Sequence, residues 1–249
     1  MFEPEELDDA GRVRLRDRRA THLIEVLGAS PGQRLRAGLW RGRLGEAEVL
    51  SVAGGEVTLA VELDEVEPPP PLLDLVLALP RPKVLSRVIE TAASFGVRRI
   101  DLVNAWRVEK AYFSSPRLGG ESLLAHARLG CEQGGHGWLP DIRVHPRFVS
   151  FVDQELGPRL RVEPSSLRLL AHPQGSTWLE QVPLPGPETP ITAAIGPEGG
   201  WIEREVESFA GLGFLPVAVS KRTLRVESAV AAVLSALELC GRLALARAE

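Results

Sequence analysis

Two short segments of this chain combine residue types that could hold a small ligand and act on it. The first is Ile195-Gly196-Pro197-Glu198-Gly199-Gly200. Glycine spaced this densely lets a backbone approach a ligand closely. The segment follows an apolar strand-like run and precedes a helix-like one, and loops at the carboxyl ends of parallel strands are where open α/β sheets bind ligands. It is not a Walker loop, because no Gly-Lys-Ser/Thr follows, nor does it have the dinucleotide-fingerprint spacing. A tight turn with no ligand would use the same glycines. The second segment is Val219-Ser220-Lys221-Arg222-Thr223-Leu224-Arg225-Val226-Glu227-Ser228-Ala229. It places Arg222, Arg225 and Glu227 at the same presumed sheet edge, with Thr223 or Ser228 able to cap the helix that follows. A surface ion pair between Arg225 and Glu227 is the plain structural alternative.

Other chemistries find little support. The histidines at 22, 126, 136, 145 and 172 lack metal-ligand spacing, so no metal is expected. Cys131 and Cys240 stand far apart, without the paired spacing of a disulfide framework or zinc site. No nucleophilic serine elbow or catalytic-cysteine signature is present. Trp138 could stack a nucleobase, although packing serves it equally well. Between residues 11 and 43, nine arginines (Arg12, Arg14, Arg16, Arg18, Arg19, Arg34, Arg36, Arg41, Arg43) face only Asp17 and Glu25, a local balance of +7. If those side chains share a face, they form a phosphate-binding footprint. The bland reading is compositional, since the chain has 26 arginines and 3 lysines.

These residues must be positioned by two kinds of architecture, divided at Glu67-Pro68-Pro69-Pro70-Pro71, where four prolines can continue neither a helix nor a central strand. In residues 1–67, segments 34–39, 42–51 and 56–63 alternate between apolar and polar residues and are separated by glycine turns, which predicts strands. Residues 22–27 read as a short helix, giving a small β-barrel-like domain. In residues 72–249 the pattern becomes strand, then helix, repeatedly. The run 73–79 reads as a buried parallel strand. Further strands are predicted at 99–103, 167–172, 191–195 and 215–219. Helices are predicted at 83–95, 121–132, 203–210 and 226–245. Such alternation predicts an α/β domain with a mostly parallel sheet.

Composition is that of a globular protein, with 44% hydrophobic and 25% charged residues and a net charge of −4. The apolar stretches 72–79 and 229–237 fall well short of the roughly 20 residues of a membrane span. The acidic first residues lack signal-peptide patterning, so a cytoplasmic location with no membrane partner is expected.

Read together and in order, the two loops resemble the ribosomal small-subunit RNA uridine-N3 methyltransferase family (RsmE) of the SPOUT superfamily. Ile195–Gly200 matches its glycine-proline-glutamate-glycine-glycine motif, and Leu224-Arg225-Val226-Glu227-Ser228-Ala229 is similar to its closing motif. Arg19-Ala20-Thr21-His22-Leu23, with Val26-Leu27 and Pro31-Gly32, looks like its N-terminal signature. The segment from Lys83 to Gly96-Val97 resembles its first long helix, and Glu132-Gln133 its central pair. The chain departs from the pattern at Ser220 (usually glycine), at Val226 and Ser228 (threonines), and at Ser94-Phe95 (glutamate-leucine). His136 also lies near where an arginine usually follows the central pair.

The resemblance implies a PUA-like barrel over 1–67 and, over 72–249, a SPOUT domain whose C-terminal part is threaded as a trefoil knot. Topology rules alone would not predict that threading. It implies a homodimer, S-adenosylmethionine as cofactor, and N3 of a uridine in 16S rRNA of the small ribosomal subunit as target. On this basis Leu170, His172, Gly196, Glu198, Gly199, Gly200, Val219 and Leu224 are expected around the cofactor. Arg225 is expected to stabilise charge on the uracil, and Glu227 or Glu198 to accept the proton. Arg12, Arg14, Arg16, Arg18, Arg19, Arg34, Arg36 and Arg41 are expected to grip RNA. Three alternatives remain: a SPOUT methyltransferase for another RNA nucleotide, an RNA-binding assembly factor in which Ser220 and Val226 have abolished activity, or a small-molecule sensor using the glycine-rich loop, which would leave the basic N-terminal module without a purpose.

Overall fold

The computed structural model describes residues 1–246 except 176, 184, 185 and 187, and the backbone alone at 244 and 245. The chain divides into two compact units. One is Met1–Pro70 together with Gly135–Leu139; the other is Pro71–Gly134 together with the chain from Pro140 onward. The division between Pro70 and Pro71 falls inside the proline run.

In the first unit, β1 (Arg12–Leu15), β2 (Arg34–Gly38), β3 (Leu44–Ala53) and β4 (Glu56–Leu63) form an antiparallel sheet in the order β1-β4-β3-β2. A bulge lies between Val49 and Ser51. Strand β1 was not expected from sequence: its alternation spans only four residues, and its arginines were read as part of a basic cluster. Val13 and Leu15 are buried while Arg12 and Arg14 are exposed. Helix α1 (Arg18–Thr21) is capped by Asp17, whose side chain accepts from the Arg19 N–H at 2.9 Å. It runs on into a π-helical turn, His22–Val26, and the chain then leaves through Gly28 at φ +60°. The core comprises Phe2, Val13, Leu15, Ala20, Ala37, Ala47, Val49, Val57 and Leu59.

The outer face of this sheet changes the meaning of the arginine cluster. Directly paired residues share a face, and the register pairs Arg34 with Glu48 and Arg36 with Glu46, which is itself opposite Glu62. Arg34 forms ion pairs with Glu46 (3.3 Å) and Glu62 (3.2 Å). Arg12 pairs with Asp8, Arg16 with Glu56, and Arg19 with both Glu6 and Asp17. The +7 of residues 11–43 is therefore diluted by carboxylates that strand pairing brings in from residues 44–63. Among the described residues, Arg14, Arg36, Arg41 and Arg43 show no carboxylate partner.

The second unit is an α/β domain. Its strands are β5 (Leu73–Ala78), β6 (Arg99–Val103), β7 (Asp141–His145), β8 (Leu167–Ala171), β9 (Thr177–Trp178), β10 (Ile191–Ile195) and β11 (Leu215–Ala218). They form one sheet in the order β7-β6-β5-β10-β8-β11-β9, every neighbouring pair parallel. Successive residues of β5, β6 and β10 are buried on both faces, as a central parallel strand requires. The helices are α2 (Pro82–Ser94), α3 (Gly120–Gly134), α4 (Phe148–Phe151), α5 (Gly157–Val162), α6 (Glu203–Gly211) and α7 (Val226–Ala246). Pro82 opens α2 at a position where a missing N–H costs nothing, and Gly96 at φ +69° follows its end.

Helices α2 and α3 pack closely because Gly130 has no side chain. A Cβ there would lie 2.2 Å from the Glu90 carbonyl oxygen and 2.8 Å from Ala93 Cβ. Strand β7 and the helical region 148–162 were also missed from sequence. Being an edge strand, β7 is only partly buried and carries no continuous apolar run. Buried Asp74 on β5 takes a two-pronged ion pair from Arg98 (2.8 and 3.0 Å). Buried Asp101 on β6 accepts from Arg159 of α5 at 2.7 Å and lies 2.8 Å from His145 of β7. Charge pairing thus staples the sheet to α5. No helix among the described residues is long and apolar enough to cross a membrane.

Candidate functional site

Because the strands are parallel, their carboxyl ends share one edge, and three adjacent strands there, β10, β8 and β11, surround a cavity of about 300 Å³. Its wall comes from three loops. Residues 171–173 follow β8, 195–201 follow β10, and 217–224 follow β11, with Val226 and Ala229 of α7 closing one side. This is the place where parallel sheets bind ligands.

Local sequence explains the loop shapes. Gly200 sits at φ +75°, and its N–H donates to Pro197 O at 2.8 Å, closing a tight turn. Gly196 lies against the Trp201 indole, where a Cβ would come within 3.1 Å of the ring. Trp201 is buried and held in an aromatic cluster, its ring centroid 5.0 Å from Phe209 and 6.0 Å from Phe148. In the β8 loop, the His172 N–H donates to Val217 O (2.9 Å) and its Nδ1 accepts from the Gln174 N–H (3.2 Å). Gly175 permits this turn, since a Cβ there would lie 2.6 Å from the Val217 carbonyl carbon.

His172, Gly196, Glu198, Gly199, Gly200, Val219 and Leu224 all line the cavity. Leu170 does not; it is fully buried in β8, one residue behind the wall. Arg225 and Glu227 flank the wall residues Leu224 and Val226 without lining the cavity themselves. Arg225 is exposed and Glu227 half-buried, and neither side chain has a hydrogen bond or ion pair among the described residues. The Glu198 carboxylate turns toward Arg81, accepting from its backbone N–H at 3.4 Å and lying 3.7 Å from its guanidinium.

Arg222, expected at this sheet edge, lines the cavity together with its motif neighbours Ser220 and Thr223. Trp201 was not anticipated, and adjacency to the glycine-rich motif is the signal that could have found it. Arg107 is different. It comes from the loop after β6, donates through Nη1 to Gly199 O, and packs its stem where a Gly199 Cβ would go. Nothing in the sequence joins residues 107 and 199. Trp138, considered for stacking, belongs to the segment Gly135–Leu139 of the first unit. Among the described residues no group of three or more histidine, cysteine, aspartate or glutamate side chains could hold a metal ion. Burial pushes the Cys131 thiol up to about 12, which keeps it protonated near neutral pH.

A family profile described as RNA methyltransferase domain matches residues 67–238. The ribosomal RNA small subunit methyltransferase E of Treponema pallidum (strain Nichols) is 32% identical over 238 residues, covering 93% of this chain and 87% of its own. The chain belongs to that methyltransferase family. Among solved structures, the ribosomal RNA small subunit methyltransferase E of Neisseria gonorrhoeae bound to S-adenosyl methionine superposes with a TM-score of 0.73 at 22% identity, covering 95% of this chain and 94% of its own. A Legionella pneumophila protein in complex with SAM gives 0.72 at 24% identity, covering 96% of each chain.

Set against this methyltransferase family, two of the chain's departures, Ser220 and Val226, fit their surroundings. Among the described residues Arg41 is the only non-glycine with positive φ. Ser220 therefore occupies backbone space open to any residue, and its Oγ accepts from the Arg222 N–H at 3.0 Å. Val226 is buried on the cavity wall, where an apolar side chain close in shape to threonine is accommodated.

Proposed function

We propose that this protein transfers a methyl group from S-adenosylmethionine to N3 of a uridine in 16S rRNA of the small ribosomal subunit. The observation that carries the reading is the cavity at the carboxyl ends of β8, β10 and β11, walled by both family motifs in a chain 32% identical to a ribosomal RNA small subunit methyltransferase E.

The residues present fit the cofactor. A cavity of about 300 Å³ lies within the range of small-molecule sites. Its wall mixes apolar side chains with glycine backbone, and at Gly196 a Cβ would press on Trp201. The Trp201 indole N–H is buried without a hydrogen-bond partner among the described residues, leaving a donor on that wall. His172, Gly196, Glu198, Gly199, Gly200, Val219 and Leu224 would hold the cofactor, with Leu170 supporting them from behind. When bound, S-adenosylmethionine supplies an electrophilic sulfonium methyl.

The protein's own residues must select, orient and ionise the uridine. Base pairing occupies N3, so the target is taken unpaired or flipped out. Removing the imide proton spreads negative charge onto the uracil oxygens. Arg225, exposed beside the wall and free of carboxylate partners among the described residues, offsets that charge. Of the two candidate acceptors, Glu198 is drawn to Arg81, so the Glu227 carboxylate takes the proton. Arg14, Arg36 and Arg41 carry most of the RNA contact in the first unit, with Arg12, Arg16, Arg18, Arg19 and Arg34 contributing at its margins. Phosphate contacts of this kind position an RNA without reading it.

Three further features belong to the same reading. The first unit is a PUA-like barrel, supported by its bulged antiparallel sheet over a single core. The C-terminal part is threaded as a trefoil knot; insertion of β10 between β5 and β8, with β11 beyond β8, supports this. The protein acts in the cytoplasm as a homodimer, for which the exposed Leu239 and Leu243 of α7 offer apolar surface. The test uses small subunits from a strain lacking the N3-methyluridine, incubated with the protein and S-adenosylmethionine and digested for nucleoside mass spectrometry. A 3-methyluridine peak supports the reading. A different methylated nucleoside, or no methylation, refutes it.

A further inference from the structure

The loop after β6 carries an almost fully exposed tryptophan, Trp106, at 80% exposure. An exposed indole on a well-held loop presents a flat apolar face at little ordering cost. This loop is well held. The buried Glu205 carboxylate, 5% exposed on the first turn of α6, accepts from the Trp106 N–H at 2.7 Å and from the Ile202 N–H at 3.0 Å. On either side, Ala105 and Val108 are buried, and the Val108 N–H donates to Ala105 O at 3.0 Å. The next residue, Arg107, donates to Gly199 O. Trp106 is thereby tied to the C-terminal side of the glycine-rich cavity wall, through Ile202 next to Trp201 and through Arg107 on Gly199. Trp106 does not line the cavity, but its neighbour Arg107 packs on the cavity-wall residue Gly199.

The surroundings identify the partner. Exposed Arg107 and Lys110 share the loop with Trp106; Glu109 between them accepts from the Tyr112 hydroxyl at 2.9 Å, and Arg81 of the preceding β5–α2 loop is paired with Glu198. An exposed aromatic face interleaved with cations is the means by which proteins hold single-stranded nucleic acid: bases stack on the ring while the cations track the phosphates. We propose that Trp106 is a stacking platform for an unpaired base next to the target uridine, with Arg107 beside it on the flanking phosphate. Trp106 is then a positioning residue. It keeps the target strand open at the cavity mouth, and its preset backbone lowers the ordering cost of binding. The inference rests on the RNA methyltransferase reading and adds to it a contact on the catalytic unit.

The experiment compares wild-type protein with Trp106→Ala and Trp106→Phe. One readout is the kinetics of 3-methyluridine formation on undermethylated small subunits. The others are calorimetric S-adenosylmethionine affinity, sedimentation, and anisotropy of a fluorescein-labelled oligouridine. Loss of one stacked base weakens binding by about tenfold. Trp106→Ala is expected to raise KM for subunits and Kd for oligouridine by about that factor, with kcat and cofactor affinity within about twofold. Trp106→Phe, which retains a π face, recovers most of the loss. Unchanged KM and oligouridine affinity in Trp106→Ala overturn the proposal. So does a loss of cofactor affinity, or a change in sedimentation that makes Trp106 a subunit contact. The oligouridine arm reads the platform even if the wild-type protein made no 3-methyluridine, so failure of the platform and failure of the catalytic reading are separable.

Discussion

Replacing Glu205 with alanine should loosen the candidate site from behind. Its carboxylate is 5% exposed and accepts two backbone N–H groups, from Trp106 at 2.7 Å and Ile202 at 3.0 Å. Hydrogen bonds to a charged group contribute about 1.5–3 kcal/mol each, and a buried donor left unpaired keeps its desolvation cost. So little exposure leaves little room for solvent to compensate. Two such bonds give a loss of about 4 kcal/mol, or a fall in Tm of about 8–16 °C for a unit of this size. Glu205→Gln keeps one acceptor oxygen but turns an NH₂ toward the other N–H, so about half of that loss is expected. Urea unfolding gives the total, and amide exchange at Trp106 and Ile202 reports the local opening. Glu205→Ala within about 1 kcal/mol of wild type, with both amides still protected, would show that the carboxylate does not hold these loops.

Four other outcomes are expected. Gly130→Ala should lower stability by about 2 kcal/mol, because a methyl 2.2 Å from the Glu90 carbonyl oxygen must drive α2 and α3 apart despite alanine's helix preference; a gain in the urea midpoint would contradict the close crossing. Burial pushes the Asp101 carboxyl up, but the His145 hydrogen bond and the Arg159 charge outweigh this and hold it below the ordinary carboxylate range. Its stabilisation is therefore complete above the unfolded value of about 3.9 and is lost as pH falls through the lower folded value. Asp101→Asn, about 3 kcal/mol less stable at neutral pH, should approach wild type below about pH 4; a pH-independent gap in urea midpoints would refute this. Arg225→Ala should cut kcat by about two orders of magnitude with calorimetric cofactor affinity unchanged, and a lost cofactor affinity would place Arg225 in the binding wall instead. Affinity for small subunits should fall steeply between low and moderate salt, and a flat salt profile in filter binding would exclude the arginine-phosphate grip.

Local composition carries through to structure wherever the residues act on their own neighbours. The apolar run at 73–79 had to become a doubly covered strand, because only a central parallel position buries both faces. Pro82 and Gly96 bracket α2 by their own backbone limits. The glycines of 196–200 shape the tight loop at the cavity, since only they tolerate φ +75° at Gly200 and the Trp201 ring against Gly196. The order of the two motifs was enough to place the chain in its family. Other features depend on residues far apart in sequence, where periodicity has no signal. The charge of the 11–43 segment was read as strongly basic, yet strand register sets Glu46, Glu48 and Glu62 across the same face. Strand β1, its arginines exposed and its two apolar residues turned inward, was missed because four residues of alternation are too short to stand out. Arg107 reaches Gly199, and Glu205 ties Trp106 to Ile202, only because parallel strands far apart in the chain end at one edge. Sequence named the loops of the candidate site; sheet order decided which side chains surround the cavity and which stand behind it, because strand neighbours are chosen by packing across the whole sheet.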